Sequence, residues 1–286
     1  MKLALYNDFN LGVIKGDRIF EIGSVINWDS SDPQNSLLDL MENYNRIKSQ
    51  IEEAITFSES KMVSEVKLNP PVPKPSKIVA APVNYYLHQD EMNEQFKNAE
   101  YTIENLGFFL KAPSSIIGPN DKIKLPFPDR RTDHEAELAF VVGKRAKDVL
   151  ASEAADYIFG YFALMDITVR GKEDRPWRKS FDTFTPIGPW IVTSDEIVDP
   201  NNLAFKLWVN GEERQSANTK DLIYDCYKFF EVASSIMTLE PGDILTTGTP
   251  EGVGPITKDD EVRITIDRIG EFSVSVDYKK EEIKNG

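Results

Sequence analysis

Apolar residues along this chain fall mostly into short alternating or continuous runs, with helical spacing confined to a few segments. Leu11 to Ile22 alternates apolar and polar positions around Lys15-Gly16-Asp17, which predicts a hairpin. From Ser36 to about Ser60, Leu37, Leu40, Met41, Tyr44, Ile47, Ile51 and Ile55 recur at helical spacing and predict a helix broken once. Ile78-Val-Ala-Ala reads as a buried strand, and the polar stretch that begins at Tyr86 is helix-compatible. Gly107 to Asp121 reads as strand, turn and strand, closed by Pro119-Asn120-Asp121. Two apolar runs, Leu138–Val142 and Tyr161–Met165, predict short strands separated by a polar turn and a helix capped by Ser152. Gly171 to Phe184 is a charged, irregular loop.

Asn210-Gly211 between two strand patterns is a type I′ hairpin signal, and Ile223 to Met237 is an amphipathic helix. Pro241 to Pro255 combines a strand with a Gly-rich loop. It lacks the Gly-Lys-Ser/Thr close and following helix of a phosphate loop. Asp260 to Asp277 predicts a last hairpin turning at Ile269-Gly270. So many short strands with few helices predict a β-rich α+β fold, a roll or barrel. Pro70, Pro71, Pro73 and Pro75 make a stiff connector, since proline fixes φ and continues neither helix nor ladder. The expected division is a small N-terminal α+β domain over 1–70, a connector over 71–77 and a larger domain over 78–286, with no internal repeat.

Composition narrows the function classes. With 286 residues, 41% of them apolar and 28% charged, the chain has the make-up of a globular protein with a sizeable core. The formal net charge of −14 argues against nucleic acid or an anionic membrane as partner. An anionic substrate would therefore need positive charge supplied locally. The single Cys226 rules out an internal disulfide and favours a reducing compartment; its Asp-Cys-Tyr setting in a helical pattern reads as structural. There is no signal-peptide core and no run near the roughly 18–20 apolar residues of a membrane span. The expected location is the cytoplasm.

Candidate chemistry lies in three places. Glu135 and Glu137 are two apart on a strand and share a face, and Asp166 ends the neighbouring apolar run. If the strands lie side by side, three carboxylates converge. They repel unless a cation sits among them, and all-oxygen ligation suits Mg²⁺ or Mn²⁺. The same spacing serves a solvated strand face equally well. His88 and Glu91 are three apart, so on a helix the carboxylate could orient the imidazole as a general base. A surface His beside a surface Glu has the same spacing. Arg170, Lys172, Arg175, Arg178 and Lys179 crowd into one segment of an acidic chain and could supply the local positive charge, or simply balance neighbouring acids.

Several segments, taken together and in order, resemble the fumarylacetoacetate hydrolase family over everything after the proline connector. They are Asn84 to Met92, Lys111-Ala-Pro-Ser-Ser-Ile-Ile-Gly-Pro, Glu135-Ala-Glu-Leu-Ala-Phe-Val-Val-Gly, Gly160-Tyr161 with Asp166 and Arg170, Lys179-Ser-Phe-Asp-Thr-Phe, Gly188-Pro-Trp, and Leu239 to Gly254. The resemblance implies a mixed β-roll, a homodimer, and Mg²⁺ or Mn²⁺ held by Glu135, Glu137 and Asp166. It implies His88 and Glu91 as a catalytic dyad, Lys179 as the site lysine, and Arg170 and Thr249 as substrate-binding residues.

Members act on small anionic 2-oxo and 2,4-dioxo acids. The leading expectation is a metal-dependent hydrolase or lyase of a C–C bond, by acylpyruvate hydrolysis or oxaloacetate-type decarboxylation. The alternatives are a dehydratase or isomerase of a 2-keto-3-deoxy sugar acid or hydroxymuconate-type diacid, and a catalytically silent metal-binding scaffold. One segment departs from the family pattern. Gly171 and Glu173 stand where Asp and Gln are usual; if that Gln contacts substrate, an anionic Glu173 would reject a carboxylate there and favour a hydroxyl or a proton-transfer step.

Overall fold

The computed structural model describes residues 1–95 and 101–279. The first part of the chain forms β1 (Lys2–Tyr6), β2 (Asn10–Lys15), β3 (Arg18–Glu21), α1 (Pro33–Ala54) and β4 (Ser60–Met62). After the prolines come β5 (Ile78–Ala80), α2 (Tyr86–Gln95), α3 (Ile103–Leu106), β6 (Phe109–Lys111), β7 (Ile116–Ile117) and β8 (Lys122–Leu125). The middle holds β9 (Thr132–His134), β10 (Ala136–Val142), β11 (Ile158–Met165), β12 (Thr168–Val169), α4 (Arg175–Lys179) and β13 (Thr185–Thr193). The last part holds β14 (Ala204–Val209), β15 (Glu212–Asn218), α5 (Cys226–Ile236), β16 (Ile244–Thr246), β17 (Gly254–Ile256), β18 (Glu261–Ile266) and β19 (Gly270–Tyr278). The chain is α+β and strand-rich, as its pattern predicts.

Among the described residues the strands form three sheets. The largest runs β4-β3-β2-β1-β13-β11-β10-β16-β5-β6, with β7 added beside β13. A second runs β15-β14-β18-β19-β8, and a short third runs β12-β9-β17. The N-terminal hairpin joins the large sheet through β1, which pairs antiparallel with β13 (Leu3 opposite Ile191).

Both faces of the large sheet are covered, which is why its central strands read as continuous apolar runs rather than alternating ones. Leu138, Phe140, Val142, Tyr161, Ala163 and Met165 enter a core shared with the second sheet and α5. Ala139, Val141, Phe162 and Leu164 enter the opposite core, under Leu37, Leu40, Met41, Tyr44 and Ile51 of α1. Successive residues thus serve successive faces.

Three local expectations are corrected. α1 is unbroken and stops at Ala54, because after Pro33 at its first turn no Gly or Pro interrupts it; Ser60 already belongs to β4. The helix expected after Ser152 is only a 3₁₀ turn, Ala154–Tyr157, without a side-chain cap. The preceding backbone is spoken for elsewhere: Ala146 exchanges hydrogen bonds with Leu239, and Asp148 N–H donates to the Ser234 carbonyl. Tertiary bonds here override the local cap signal. The charged loop after Arg170 contains the short α4, with Pro176 in its first turn. The Asn210-Gly211 turn has positive φ at both residues (52° and 80°), as a type I′ hairpin requires.

Candidate active site

β10 and β11 are antiparallel neighbours with Ala136 opposite Met165, so the residues just outside that pair meet at one end of the sheet. Asp166 N–H donates to the Glu135 carbonyl at 2.8 Å, which carries the pairing past the strand ends. Glu135, Glu137 and Asp166 are all buried, and one carboxylate oxygen from each lies within 4.8 Å of the others.

Two lysines and an arginine face this cluster. Lys179 Nζ, at the end of α4, donates to Glu135 Oε2 (2.6 Å), Asp166 Oδ2 (2.5 Å) and Thr168 Oγ1 (2.7 Å). Lys111 Nζ pairs with Asp166 Oδ1 and donates to the carbonyls of Lys179 (2.7 Å) and Phe184 (3.1 Å). Arg170 bridges Asp133 (2.5 Å) and Glu135 (3.2 Å). Among the described residues Glu137 accepts from neutral donors, Thr246 Oγ1 and Gly248 N–H, the latter at 3.0 Å. That amide reaches the carboxylate because Gly248 has φ +83°, and a Cβ there would sit 2.9 Å from the Ala81 carbonyl.

The electrostatics follow from these partners. Burial works against the Lys179 ammonium, but Asp166, Glu135 and Glu137 override it and hold its pKa above the ordinary lysine value. Burial likewise opposes the Glu135 carboxylate, and Lys179 and Arg170 overcome it, keeping that group ionised well below the usual range. Lys111 goes the other way: burial lowers its pKa despite Asp166. Glu137 is the unbalanced member. Burial, then the charge of Asp166, pushes its pKa up to about 8. Three hard carboxylate oxygens, one of them lacking a cationic partner, are a donor set that fits a hard divalent ion.

His88 and Glu91 sit on α2, as their spacing predicts. His88 is buried, Glu91 is half exposed, and Nδ1 lies 3.0 Å from Glu91 Oε2. His88 is close enough to Glu135 to act on that carboxylate electrostatically. The structure therefore brings Glu135, Glu137, Asp166, Lys179, Arg170 and His88 into one neighbourhood. Thr249 is buried in the Gly-rich loop, where Gln215 ties it in place: Nε2 donates to Thr249 Oγ1 (2.8 Å) and to the Pro250 carbonyl (3.0 Å). The same amide's oxygen accepts from Ala136 N–H (2.9 Å), so the loop is anchored to the strand that follows Glu135. Of the polar stretch that begins at Tyr86, residues 96–100 lie outside the described residues.

Glu173 corrects an expectation. It does not stand as a free anion against substrate, because Arg130 grips it with both guanidinium nitrogens (3.0 and 2.8 Å). Arg130 also donates to the Arg170 carbonyl (3.0 Å) and lies over the rings of Phe127 and Trp177. Gly171 is needed for this fork, since a Cβ there would collide with Arg130 Nη2 and Glu173 Oε2. Lys111, Gln215 and Arg130 were not singled out as functional from sequence. A signal existed for Lys111: in β6 it shares the inward face with Phe109 while Leu110 is exposed, so strand parity points the lysine inside. No local pattern marks Arg130, whose partner lies 43 positions on.

Comparison with known proteins places this geometry in context. Residues 77–277 match the family described as fumarylacetoacetate (FAA) hydrolase C-terminal. The chain is 40% identical over 284 residues to a maleylpyruvate hydrolase of Aquipseudomonas alcaligenes, covering 96% of this chain and 99% of that protein. Its structure is similar to that of the maleylpyruvate hydrolase of Sphingobium sp. SYK-6 in complex with manganese(II) and pyruvate, with TM-score 0.88, 41% identity, and coverage of 98% of this chain and 100% of that one. It is also similar to a 5-carboxymethyl-2-hydroxymuconate delta-isomerase from Mycobacterium smegmatis, with TM-score 0.72, 33% identity and the same coverage.

Proposed function

The chain belongs to the fumarylacetoacetate hydrolase family, and from that premise we propose that it is a divalent-metal-dependent hydrolase of acylpyruvate-type 2,4-dioxo acids. The carrying observation is the buried convergence of Glu135, Glu137 and Asp166 within 4.8 Å, beside an imidazole that already has its carboxylate partner. The manganese and pyruvate held by the Sphingobium relative support the same reading. In it, Glu135, Glu137 and Asp166 hold Mg²⁺ or Mn²⁺, which when bound supplies Lewis-acid polarisation of the 2-oxo acid end of the substrate.

The residues of the chain do the rest. Glu91 fixes the His88 tautomer, and His88 removes a proton from the water that attacks the C4 carbonyl. The C3–C4 bond then breaks, the acyl group leaves as a carboxylic acid, and the proton on His88 returns to C3 to complete pyruvate. Lys179 stays protonated and offsets negative charge building on the 2-oxo oxygen. Arg170 holds Glu135 in place as well as adding positive charge. Thr249 accepts from Gln215, which leaves its own proton free to donate to substrate.

Incubation of the purified protein with acetylpyruvate and Mg²⁺ or Mn²⁺ is expected to release pyruvate and acetate, with EDTA abolishing turnover and either ion restoring it. Absence of pyruvate across a panel of acylpyruvates would overturn the proposal. The delta-isomerase relative favours a second reading, proton transfer without water addition, and product mass separates the two. We further propose a homodimer in the cytoplasm. The family resemblance supports the first, and a lone buried thiol, Cys226, fits the reducing compartment of the second. Among the described residues no helix is long and apolar enough to cross a membrane.

A further inference from the structure

Gln215 is the one buried residue of β15, and both ends of its amide are bonded. Arg214 is an extra residue in the β14–β15 ladder, where Leu207 faces Gln215 and Trp208 faces Glu213, so the strand bulges just before Gln215. The Gly-rich loop comes against this bulge. Gly252 has φ +86°, and a Cβ there would lie 2.3 Å from the Arg214 carbonyl, so glycine admits the approach where a larger residue would not.

Main-chain groups of fixed polarity orient the amide. Oε1 accepts from Ala136 N–H (2.9 Å), which can only donate. Nε2 faces the carbonyls of Pro250 (3.0 Å) and Glu251 (3.3 Å), which can only accept. Thr249 Oγ1, 2.8 Å from Nε2, is therefore an acceptor there, and its proton points elsewhere. His134 Nδ1, 3.3 Å from Oε1, is in turn the donor, so Nε2 of the neutral ring is bare. That nitrogen is buried with no hydrogen-bond partner among the described residues. Its cross-strand neighbour is Gly254, where a Cβ would stand 3.3 Å from it, so no side chain crowds the space. The opposite tautomer would bury an unpaired N–H and set two lone pairs against each other, a costlier arrangement.

We propose that Gln215 is a positioning residue, braced by His134, which fixes the Thr249 hydroxyl with its oxygen occupied and its proton offered to the 2-oxo acid end of the substrate. The inference rests on the acylpyruvate reading above and adds two residues to it. Gly248 N–H donates to Glu137 at 3.0 Å, which puts Thr249 one residue from the contact with a proposed metal ligand. A hydroxyl left alone rotates to suit its surroundings. Here the direction is set before substrate arrives, which lowers the ordering cost of binding.

A double-mutant cycle on the Mn²⁺-loaded protein separates positioning from packing. Gln215→Met and Thr249→Val should each raise KM for acetylpyruvate about two- to tenfold, the range for one hydrogen bond, with kcat changed less. If Gln215 acts through Thr249, the two changes together should be no worse than Thr249→Val alone, within about twofold. Losses that multiply would overturn the proposal. Thermal melts check folding, and should Gln215→Met fail to fold, the cycle runs on His134→Leu, which leaves the other bonds of Gln215 in place. His134→Asn, whose amide can put an N–H where Nδ1 stands, should restore the KM that His134→Leu loses; no recovery would overturn the part given to His134.

A second readout needs no turnover. The chain has two histidines, so the nitrogen NMR spectrum of Mg²⁺-loaded His88→Ala holds a single imidazole. It should show Nδ1 protonated, and an unprotonated Nδ1 would overturn the proposal. Wild-type turnover with multiplying losses would sink this inference alone. No wild-type turnover of any acylpyruvate would sink the hydrolase reading, and this one with it.

Discussion

The two sides of the site are built in different ways. Glu135, Glu137 and Asp166 are fixed by strand register: Ala136 opposite Met165 dictates which side chains meet, and packing on both faces of the sheet holds the register. Arg170, Arg175, Arg178 and Lys179 lie on a segment with one short helix, fixed by side-chain bonds to distant residues: Arg130 to Glu173, Lys111 to the Lys179 carbonyl. The acidic side is therefore rigid and insensitive to its local sequence. The basic side depends on single side-chain bonds, and it includes Gly171 and Glu173, whose fork with Arg130 fixes the start of α4.

The largest effect should come from the rigid side. Glu137→Gln removes a proposed ligand while keeping the side chain's size, and turnover with Mn²⁺ should drop at least about 10³-fold, since a bound ion contributes several kcal/mol of charge stabilisation. Mn²⁺ binding, followed by paramagnetic resonance, should be lost in parallel. A variant that keeps full turnover would break the contrast at its root.

Lys179→Met joins the two sides. It leaves Glu135 and Asp166 buried without their shared cation, and the metal-free protein should lose about 3–5 kcal/mol, the cost of breaking a buried pair. Denaturant titration measures that loss, and Mn²⁺ should restore part of it. His88→Ala should lower kcat about 10²- to 10⁴-fold, the usual contribution of a general base, with Mn²⁺ affinity retained.

On the basic side the effects are smaller. Arg130→Gln removes the fork on Glu173 and releases its carboxylate beside Arg170 and Arg178, and KM for an acylpyruvate should rise about two- to tenfold with kcat nearly kept. Smaller still is a proton count. In the metal-free fold the Glu137 carboxyl has its pKa raised to about 8 by burial and by Asp166, so at pH 7 it is mostly protonated. Ion binding needs the carboxylate, so up to about one proton should be released at pH 7 and less above pH 8, read by calorimetry in buffers of different ionisation enthalpy. Because the folded pKa lies above the unfolded one, this group's stabilising effect is complete at low pH. It is lost as pH rises toward about 8, and the metal-free Tm should fall over that range.

How much was legible in the sequence follows the same divide. Strand runs such as Leu138–Val142 and Tyr161–Met165, the Asn210-Gly211 turn and the His88–Glu91 spacing depend on neighbours within a few positions, and the structure forms each of them. The break expected in α1 and the helix expected after Ser152 failed for local and tertiary reasons respectively: a continuous helix needs only the absence of Gly and Pro, whereas Ala146 and Asp148 are captured by residues some 90 positions away. Lys111 was half legible, since strand parity aims it inward but does not say what it meets. The role of Glu173 could not be read at all, because its charge is cancelled by an arginine that no spacing rule connects to it.

The pairing of β1 with β13 has a practical side. A fragment trimmed to the family-matching stretch, 77–277, would keep every acidic and basic group discussed yet strip the neighbour from β13 and the cover from Phe162, Leu164 and Ile191. Such a piece would leave the end of β13 around Ile191 and Val192 without its β1 partner, open to self-association through sheet extension. The N-terminal hairpin and α1 thus act as a cover for the stretch that carries the candidate site.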